Sequence, residues 1–426
     1  MVKQVKLAKA IYAEITARAT VPPVVHNGHL CVYAPERGIF VPQDPEAVRR
    51  LIFSYDGRRL SGERGAFWLS DGDGQGALKT LLTLSSLAAL PARPGVAFAD
   101  VFLGVDAGGQ PEARPHSPDN GAVYGLSHRW SKKPPRGFWH SALHERVWRD
   151  DPEREQKASV LGEFVGACLF GIVTGYKRAV FLYGSVGDNG KSTVLDGIRL
   201  LFDNPPTVEP HLIGNEGANA QLAFARINTV AEMRAEDFPN PEQMKAAIAG
   251  DPLRARYLYF NPFTFRPTCG HLLAGNNLPQ SRDLSNAFWN RWILLACGRT
   301  IPPEERLPPV ELAAELRRAA PEIAHWAVDG AIRLLRQRSY TVVPSSAAAL
   351  AGWRRKSDQF TQFMDEETEP GPGVPLRVIY ERYSGWAHQV GHRRMSRSTF
   401  EERLRARGLD LRTLRMKFRP DEVVLE

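Results

Sequence analysis

Apolar and polar positions along this chain shift between a helical and a strand period, and the shifts mark its elements. In HLCVYAPERGIFVPQ two β-type runs flank the turn Pro35-Glu36-Arg37-Gly38 and predict a hairpin, and DPEAVRRLIFSY predicts a helix. Asp71-Gly72-Asp73-Gly74-Gln75-Gly76 predicts a turn; position twelve of that stretch is Leu82, where a calcium loop needs a bidentate Glu. A strand-like run from Val96 to Val105 leads through a Gly/Pro-rich segment to Phe138-Trp139 and a short helix. From Glu153 to Ile172 the residues Val160, Leu161, Phe164, Val165, Cys168, Leu169 and Ile172 share one face, which predicts an amphipathic helix.

The middle of the chain alternates strand and helix. Ala179 to Tyr183 is an apolar β-type run, followed by a glycine-rich loop ending in Gly190-Lys191-Ser192-Thr193 and by Val194, Leu195, Ile198 and Leu201 at helical spacing. Ile227 to Ala231 predicts a second buried strand ending at Glu232, and Pro241 to about Ala249 a helix. RARYLYF and FTFRPTCGHLLA, on either side of Asn261-Pro262, predict a long hairpin whose second arm ends in Gly275-Asn276-Asn277. Trp292 to Ala296 is a further apolar strand, just after Trp289-Asn290-Arg291. This order predicts an α/β core with a parallel sheet, whose ligands sit at the carboxyl ends of the strands.

The Pro-rich stretch IPPEERLPPVE closes that core, and a helical segment runs on to about Arg338. From about Val374, one helix carries Ile379, Tyr383, Trp386 and Val390. A second opens on a capping-box pattern, Ser398 to Glu401, and stops at Gly408. Leu414 to Arg419 then alternates apolar with basic. Helix, helix, strand pair is the outline of a winged helix-turn-helix. The expected organisation is an α+β region of unknown role over 1–92, a helical region over 93–177, a phosphate-loop core over 178–300, a helical closing segment over 301–345 and a basic winged module over 346–426.

Composition adds two constraints. Of the formal +8 charge, an equal balance sits in residues 375–419, with twelve Arg/Lys against four acids, so a polyanionic partner is expected there. The four cysteines lie far apart without CxxC spacing and read as small buried hydrophobes. No apolar run approaches membrane-span length and the start lacks a signal-peptide core, so a cytoplasmic protein is expected.

The chemistry concentrates in the loop. A strand, a glycine-rich turn and a helix opening on Lys-Ser is the context in which backbone N–H groups converge on phosphates. The expected ATP-binding residues are Gly184, Ser185, Gly187, Asp188, Asn189, Gly190, Lys191, Ser192 and Thr193, with Lys191 on the β/γ-phosphates and Ser192 on Mg²⁺. Glu232 at a strand end either activates water and organises the metal or is a surface residue, with Glu236 and Asp237 as possible helpers. Asn276 either orients the attacking water or makes a turn; Arg291 is either an arginine finger or a strand-flanking partner of a carboxylate.

In order, GDNGKST, VAEM, MKAAIAGDPLRARYLYFNPFTFRP, LLAGNNLP and FWNRW resemble the superfamily III helicases, in particular the helicase half of phage, plasmid and poxvirus primase–helicases. YERYSGWAHQVGHRRMSRSTFEERLRARG resembles their terminal winged-helix module, and the likeness covers roughly residues 94–426. The resemblance implies an AAA+-type core, a homo-oligomeric ring, usually a hexamer, and ATP with Mg²⁺. It further implies single-stranded DNA in the ring channel, duplex at the C-terminal module, a separate primase partner and a bacterial host cell. By position it makes Lys191 and Ser192 the phosphate-loop pair, Glu232 the Walker B acid, Asn276 the sensor and Arg291 the finger. Lys245, Arg254 and Arg256 are expected on or near the channel hairpin, and Arg393, Arg394, Arg397, Arg403, Arg407, Arg415 and Lys417 on the DNA face of the C-terminal module.

Four departures from the family pattern keep rivals open. Ser185 stands where the loop pattern has its first glycine, Met233 follows the lone acid, Asn290 replaces the first of the Arg-Arg pair that commonly precedes the last strand, and the turn Phe260-Asn261-Pro262 has no basic residue. A nucleotide-gated origin-binding initiator is the main alternative, and a small-molecule phosphotransferase the second.

Overall fold

A computed structural model describes residues 3–60, 65–85, 90, 93–106, 108–132, 137–233, 240–258, 260–281, 283–391, 394–411 and 414–419. The N-terminal region packs helices α1 (Lys3–Ala19), α2 (Pro45–Phe53) and α3 (Asp71–Ser85) on an antiparallel sheet of β1 (Val24–His26), β2 (His29–Ala34) and β3 (Ile39–Pro42). Its core is Leu7, Ile11, Leu30, Val48, Ile52 and Leu81. The stretch expected as a turn at 71–76 is instead the first part of α3. Ser70 and Asp73 cap it reciprocally, Ser70 N–H to Asp73 Oδ2 at 3.1 Å and Asp73 N–H to Ser70 Oγ at 3.2 Å, which overrides three glycines.

A second antiparallel sheet holds β4 (Gly95–Ala97), β5 (Phe102–Val105) and β6 (Pro111–Arg114). The single run expected over 96–105 is therefore two strands; the chain turns back between them, with Phe98 N–H bonded to the Val101 carbonyl at 2.7 Å. Helix α4 (Phe138–Ser141) continues as one π-helical stretch, Ala142–Val147.

Helix α5 (Arg154–Leu169) is buried on every side rather than on one face. One flank meets α12 (Ala320–Gln337) so closely that backbones touch: a methyl at Gly330 would collide with the Gly162 carbonyl group, and one at Gly166 with the Ala327 carbonyl. Across the same interface Glu163, fully buried, accepts from Arg333 at 2.7 Å, Gln337 at 2.9 Å and the Thr341 N–H at 2.7 Å. Its charge is thus paired and hydrogen-bonded, as a buried carboxylate must be.

The centre follows in chain order: α6 (Val173–Tyr176), β7 (Ala179–Tyr183), α7 (Lys191–Arg199), α8 (Glu216–Leu222), β8 (Ile227–Val230), α9 (Pro241–Ala249), β9 (Leu253–Ala255), β10 (Phe263–Phe265), β11 (Gly270–Gly275), α10 (Asn286–Trp289) and β12 (Trp292–Ala296). Four of these strands form one parallel sheet in the order β12-β7-β11-β8. Strand alternation sends Val180, Leu182, Leu272, Ala274 and Leu295 to one face, against α5, α7 and α12. Phe181, Val230, Leu273 and Leu294 face the other side, against α8, α9 and α13 (Pro344–Ser357), whose Trp353 is buried among Phe288, Trp289 and Trp292. Helices on both faces explain why the strands read as unbroken apolar runs.

The long hairpin of expectation is a short one. Only β9 and β10 pair, Leu253 to Ala255 against Phe263 to Phe265. Pro267 follows β10, and the rest of the run becomes the central strand β11. The β1–β2 turn reaches this hairpin: the His29 ring is edge-on to Phe224, Tyr257 and Phe263 at 4.9, 5.2 and 5.1 Å, and Asn27 donates to the Ala223 carbonyl at 2.6 Å.

After α11 (Pro309–Arg318), α12 and α13, a separate core forms from α14 (Gln359–Glu367), β13 (Thr368–Pro370), α15 (Leu376–Gln389), α16 (Arg397–Ala406) and β14 (Met416–Phe418), around Phe360, Phe363, Ile379, Tyr383, Trp386 and Phe400. β14 pairs antiparallel with β13, which precedes the two expected helices. The cap of α16 is Ser396, accepting from Thr399 N–H at 3.2 Å, two residues before the expected Ser398. All four cysteines are free and buried. Among the described residues no helix is long and apolar enough to cross a membrane.

Candidate functional site

At the carboxyl ends of β7 and β11 the chain leaves a cavity of about 530 Å³, lined by Gly187 to Thr193, Ala231 to Met233, Gly275 to Asn277 and, from outside the sheet, by Ala142, Arg146, Val147 and residues of the 301–312 segment. Gly184 leaves β7 where a Cβ would strike the Cys297 carbonyl, so the glycine requirement falls at 184 and not at Ser185. Gly190 takes φ +81° as the cap of α7, a conformation that favours glycine, and a Cβ there would lie 2.6 Å from Val147. Asn189 is buried and ties the loop down by donating to the Val186 and Cys297 carbonyls at 2.8 and 3.0 Å.

Lys191 is the focus. Its ammonium donates at 3.0 Å to each of three neutral oxygens, the Gly184 carbonyl, Asn189 Oδ1 and Asn276 Oδ1. Among the described residues no carboxylate is paired with it, and burial holds its pKa below the ordinary lysine value. Ser192 and Glu232 are exposed to the cavity, and Glu232 has no partner among the described residues. The structure thus brings together Gly187, Asp188, Asn189, Gly190, Lys191, Ser192, Thr193, Glu232 and Asn276; Gly184 and Ser185 do not line the cavity. Glu236 and Asp237 lie outside the described residues.

The other expected residues lie elsewhere. Arg291 stands at the amino end of the sheet, its carbonyl bonded to Ala179 N–H, and its guanidinium donates to the carbonyls of Lys245 and Ala287. Lys245 is on α9, not on the hairpin, and is paired with Asp283 and Glu242 at 2.7 Å each. Arg254 in β9 and Arg256 just after it do lie on the hairpin, exposed, and share Glu216 at 2.7 and 3.5 Å.

In the C-terminal module Arg397 pairs with Glu401 at 3.0 Å, Arg403 with Asp358 at 2.6 Å, Arg407 with Asp365 at 2.7 Å and Lys417 with Glu369 at 2.8 Å. Among the described residues Arg394 and Arg415 are exposed without an acidic partner, and Arg393 lies outside the described residues. The basic stretch is therefore far less free than its formal charge suggests.

Against known families, residues 182–291 match a family of unknown function, DUF5906, and residues 355–408 match a family described as Poxvirus D5 protein-like. The two matches run from the end of β7 to just before β12 and over most of the C-terminal module, in the order the motifs run. Among solved structures, the A-form apo structure of the NrS-1 C-terminal region aligns with TM-score 0.48 and 12% identity over 87% of this chain and 81% of that one. A second apo structure of that region aligns with TM-score 0.47 and 11% identity over 90% of this chain and 83% of that one. No curated protein matches the sequence.

Sequence reasoning missed one whole wall of the cavity. Ala142, Val147, Ile301, Leu307 and Leu312 offer an apolar slot, and Arg146 and Arg306 add two cations beside it. The one available signal was IPPEERLPPVE, an Arg between proline pairs beside an acidic pair, which read only as the end of the core.

Proposed function

We propose that the chain is an ATP-driven DNA helicase motor of the primase–helicase type, working in replication of a phage or other mobile element in a bacterial cell. The observation that carries this reading is Lys191: a buried ammonium whose partners among the described residues are all neutral oxygens, at the end of a glycine loop and the mouth of a cavity, is arranged to receive an anion. The fully parallel sheet with its loop at the carboxyl end supports an AAA+-type core. The order α14-β13-α15-α16-β14 supports a winged helix-turn-helix. The motif order and the match of 355–408 to the poxvirus D5-like family support the replication context.

In this reading the loop amides and Lys191 hold the phosphates, and the apolar slot takes the base. Ser192 and Glu232 offer a hydroxyl and a carboxylate, the hard oxygen donors Mg²⁺ takes, and would hold it. Bound there it would neutralise charge developing on the transferred phosphoryl group. Asn276 Oδ1 accepts from Lys191, and its amide would orient an attacking water. Arg291, at the opposite end of the sheet from Lys191, would serve a neighbouring subunit of a ring. Arg254 and Arg256 would face single-stranded DNA, and Arg394 and Arg415 duplex at the C-terminal module.

One observation favours a second reading, a nucleotide-gated origin-binding initiator with little unwinding. Lys245 and Arg291 are both engaged within the chain.

ATP hydrolysis by the purified protein with and without single-stranded DNA, beside Lys191→Ala, separates the readings. The motor is stimulated by DNA and silent in the variant. DNA binding without Lys191-dependent turnover overturns the motor and leaves the initiator.

A further inference from the structure

Among the described residues three cations line the cavity, and each is held differently. Lys191 faces neutral oxygens, and the Arg146 guanidinium lies over the Phe138 ring, 5.2 Å from its centre. Arg306 faces a carboxylate, 2.8 Å away, and that carboxylate is Asp188 of the phosphate loop itself. Two backbone contacts hold this pair in register. Ile301 N–H donates to the Asp188 carbonyl at 2.9 Å, and Arg306 Nε donates to the Ile301 carbonyl at 2.8 Å. Asp188 keeps φ at +53°, uncommon for a residue with a Cβ, and so presents its side chain to the 301–306 segment.

We infer that Arg306 reads the terminal phosphate of the bound nucleotide in the same chain, and that Asp188 occupies it as a phosphate stand-in between turnovers. This rests on the nucleotide reading above and assigns that site a residue and a competition which the motifs do not contain. The magnitudes favour exchange. Asp188 and Arg306 side chains are 63% and 38% exposed, and a pair so open to water shifts an equilibrium by about fivefold at most. A terminal phosphate brings more charge and more acceptors to the same guanidinium. The Arg306 Nε bond to the Ile301 carbonyl does not involve Asp188, so the guanidinium stays over the loop when the carboxylate leaves.

The test is a double-mutant cycle on the full chain, with MgATP and MgADP affinities from isothermal titration calorimetry and folding checked by thermal melts. Arg306→Ala is expected to weaken MgATP by about tenfold or more and MgADP by much less, with Arg306→Lys partly restoring the difference. Asp188→Asn is expected to tighten MgATP by about threefold, an effect that disappears in the Arg306→Ala background. If the Asp188→Asn gain persists without Arg306, Asp188 acts through general charge and the competition is overturned. If Arg306→Ala weakens both nucleotides equally, Arg306 does not read the terminal phosphate. A wild-type chain that binds neither nucleotide sinks the nucleotide reading itself, a result distinct from either.

Discussion

Lys191 at the carboxyl end of the parallel sheet and Lys245 on its flank are both largely buried lysines, yet their surroundings are opposite. Lys245 has two carboxylates at 2.7 Å, while Lys191 has three neutral oxygens at 3.0 Å. The same contrast extends around each. At the carboxyl end Ser192 and Glu232 stay open to the cavity, whereas Arg291 at the amino end is engaged by backbone carbonyls. A buried cation with its counter-charge is a structural joint. One without it is held at an electrostatic cost that an arriving anion relieves.

The largest effect that sharpens this contrast is expected from Lys191→Met. Nucleotide affinity should fall by about 100-fold, the scale of losing charge-assisted bonds to phosphate. The melting temperature should hold or rise, because an uncompensated ammonium leaves the interior; calorimetry of both quantities checks this, and a large drop in melting temperature would show that Lys191 is structural.

Asp283→Asn breaks the other side of the comparison. It leaves Lys245 with the exposed Glu242 alone and should cost about 2 kcal/mol in urea unfolding, in the range for stripping one partner from a buried pair. MgATP affinity should not change. If affinity falls with stability, the two ends are not independent.

A comparable effect is expected from pH, read in the body of the sheet between those ends. His271 in β11 is buried, and burial holds its pKa down to about 4. His26 is likewise held at about 4, by burial first and then by Arg226 and His29. Because the folded value lies below the unfolded one, the unfolded chain takes up protons first as pH falls. Stability is therefore intact above pH 6.5 and declines toward pH 4. At pH 4.5 His271 alone should account for roughly 2 kcal/mol of loss. Urea titrations at pH 7 and 4.5 should show a shallower decline in His271→Leu than in the parent; equal declines would place the sensitivity elsewhere.

The central strands were legible because helices cover both faces, leaving runs such as Ala179 to Tyr183 with no polar break. The loop was legible for a different reason, since Gly184 and Gly190 each meet a backbone requirement that few residue types satisfy, with Lys191 directly after the second. The hairpin was misjudged because β10 and β11 are both largely apolar and only the short stretch Arg266-Pro267-Thr268-Cys269 separates them. At 71–76 the cap made by Ser70 and Asp73 outweighed the glycines. Arg306 and Arg146 escaped notice because their place in the cavity depends on segments more than 100 residues apart coming together, which no local spacing encodes. The basic module misled in the reverse direction: its charge was plain, but the acids that neutralise it, Asp358, Asp365 and Glu369, lie on α14 and β13 or at their edges, outside the stretch that was counted.

The β1–β2 turn on the β9–β10 hairpin carries a practical corollary. His29 shields Phe224, Tyr257 and Phe263. Trimming the chain to its core would bare a sticky aromatic face on the element that, in the motor reading, must move. Shortened preparations would self-associate, and their poor colloidal behaviour would pass for a loss of function. The N-terminal region is thus a cover for that hairpin as well as its neighbour.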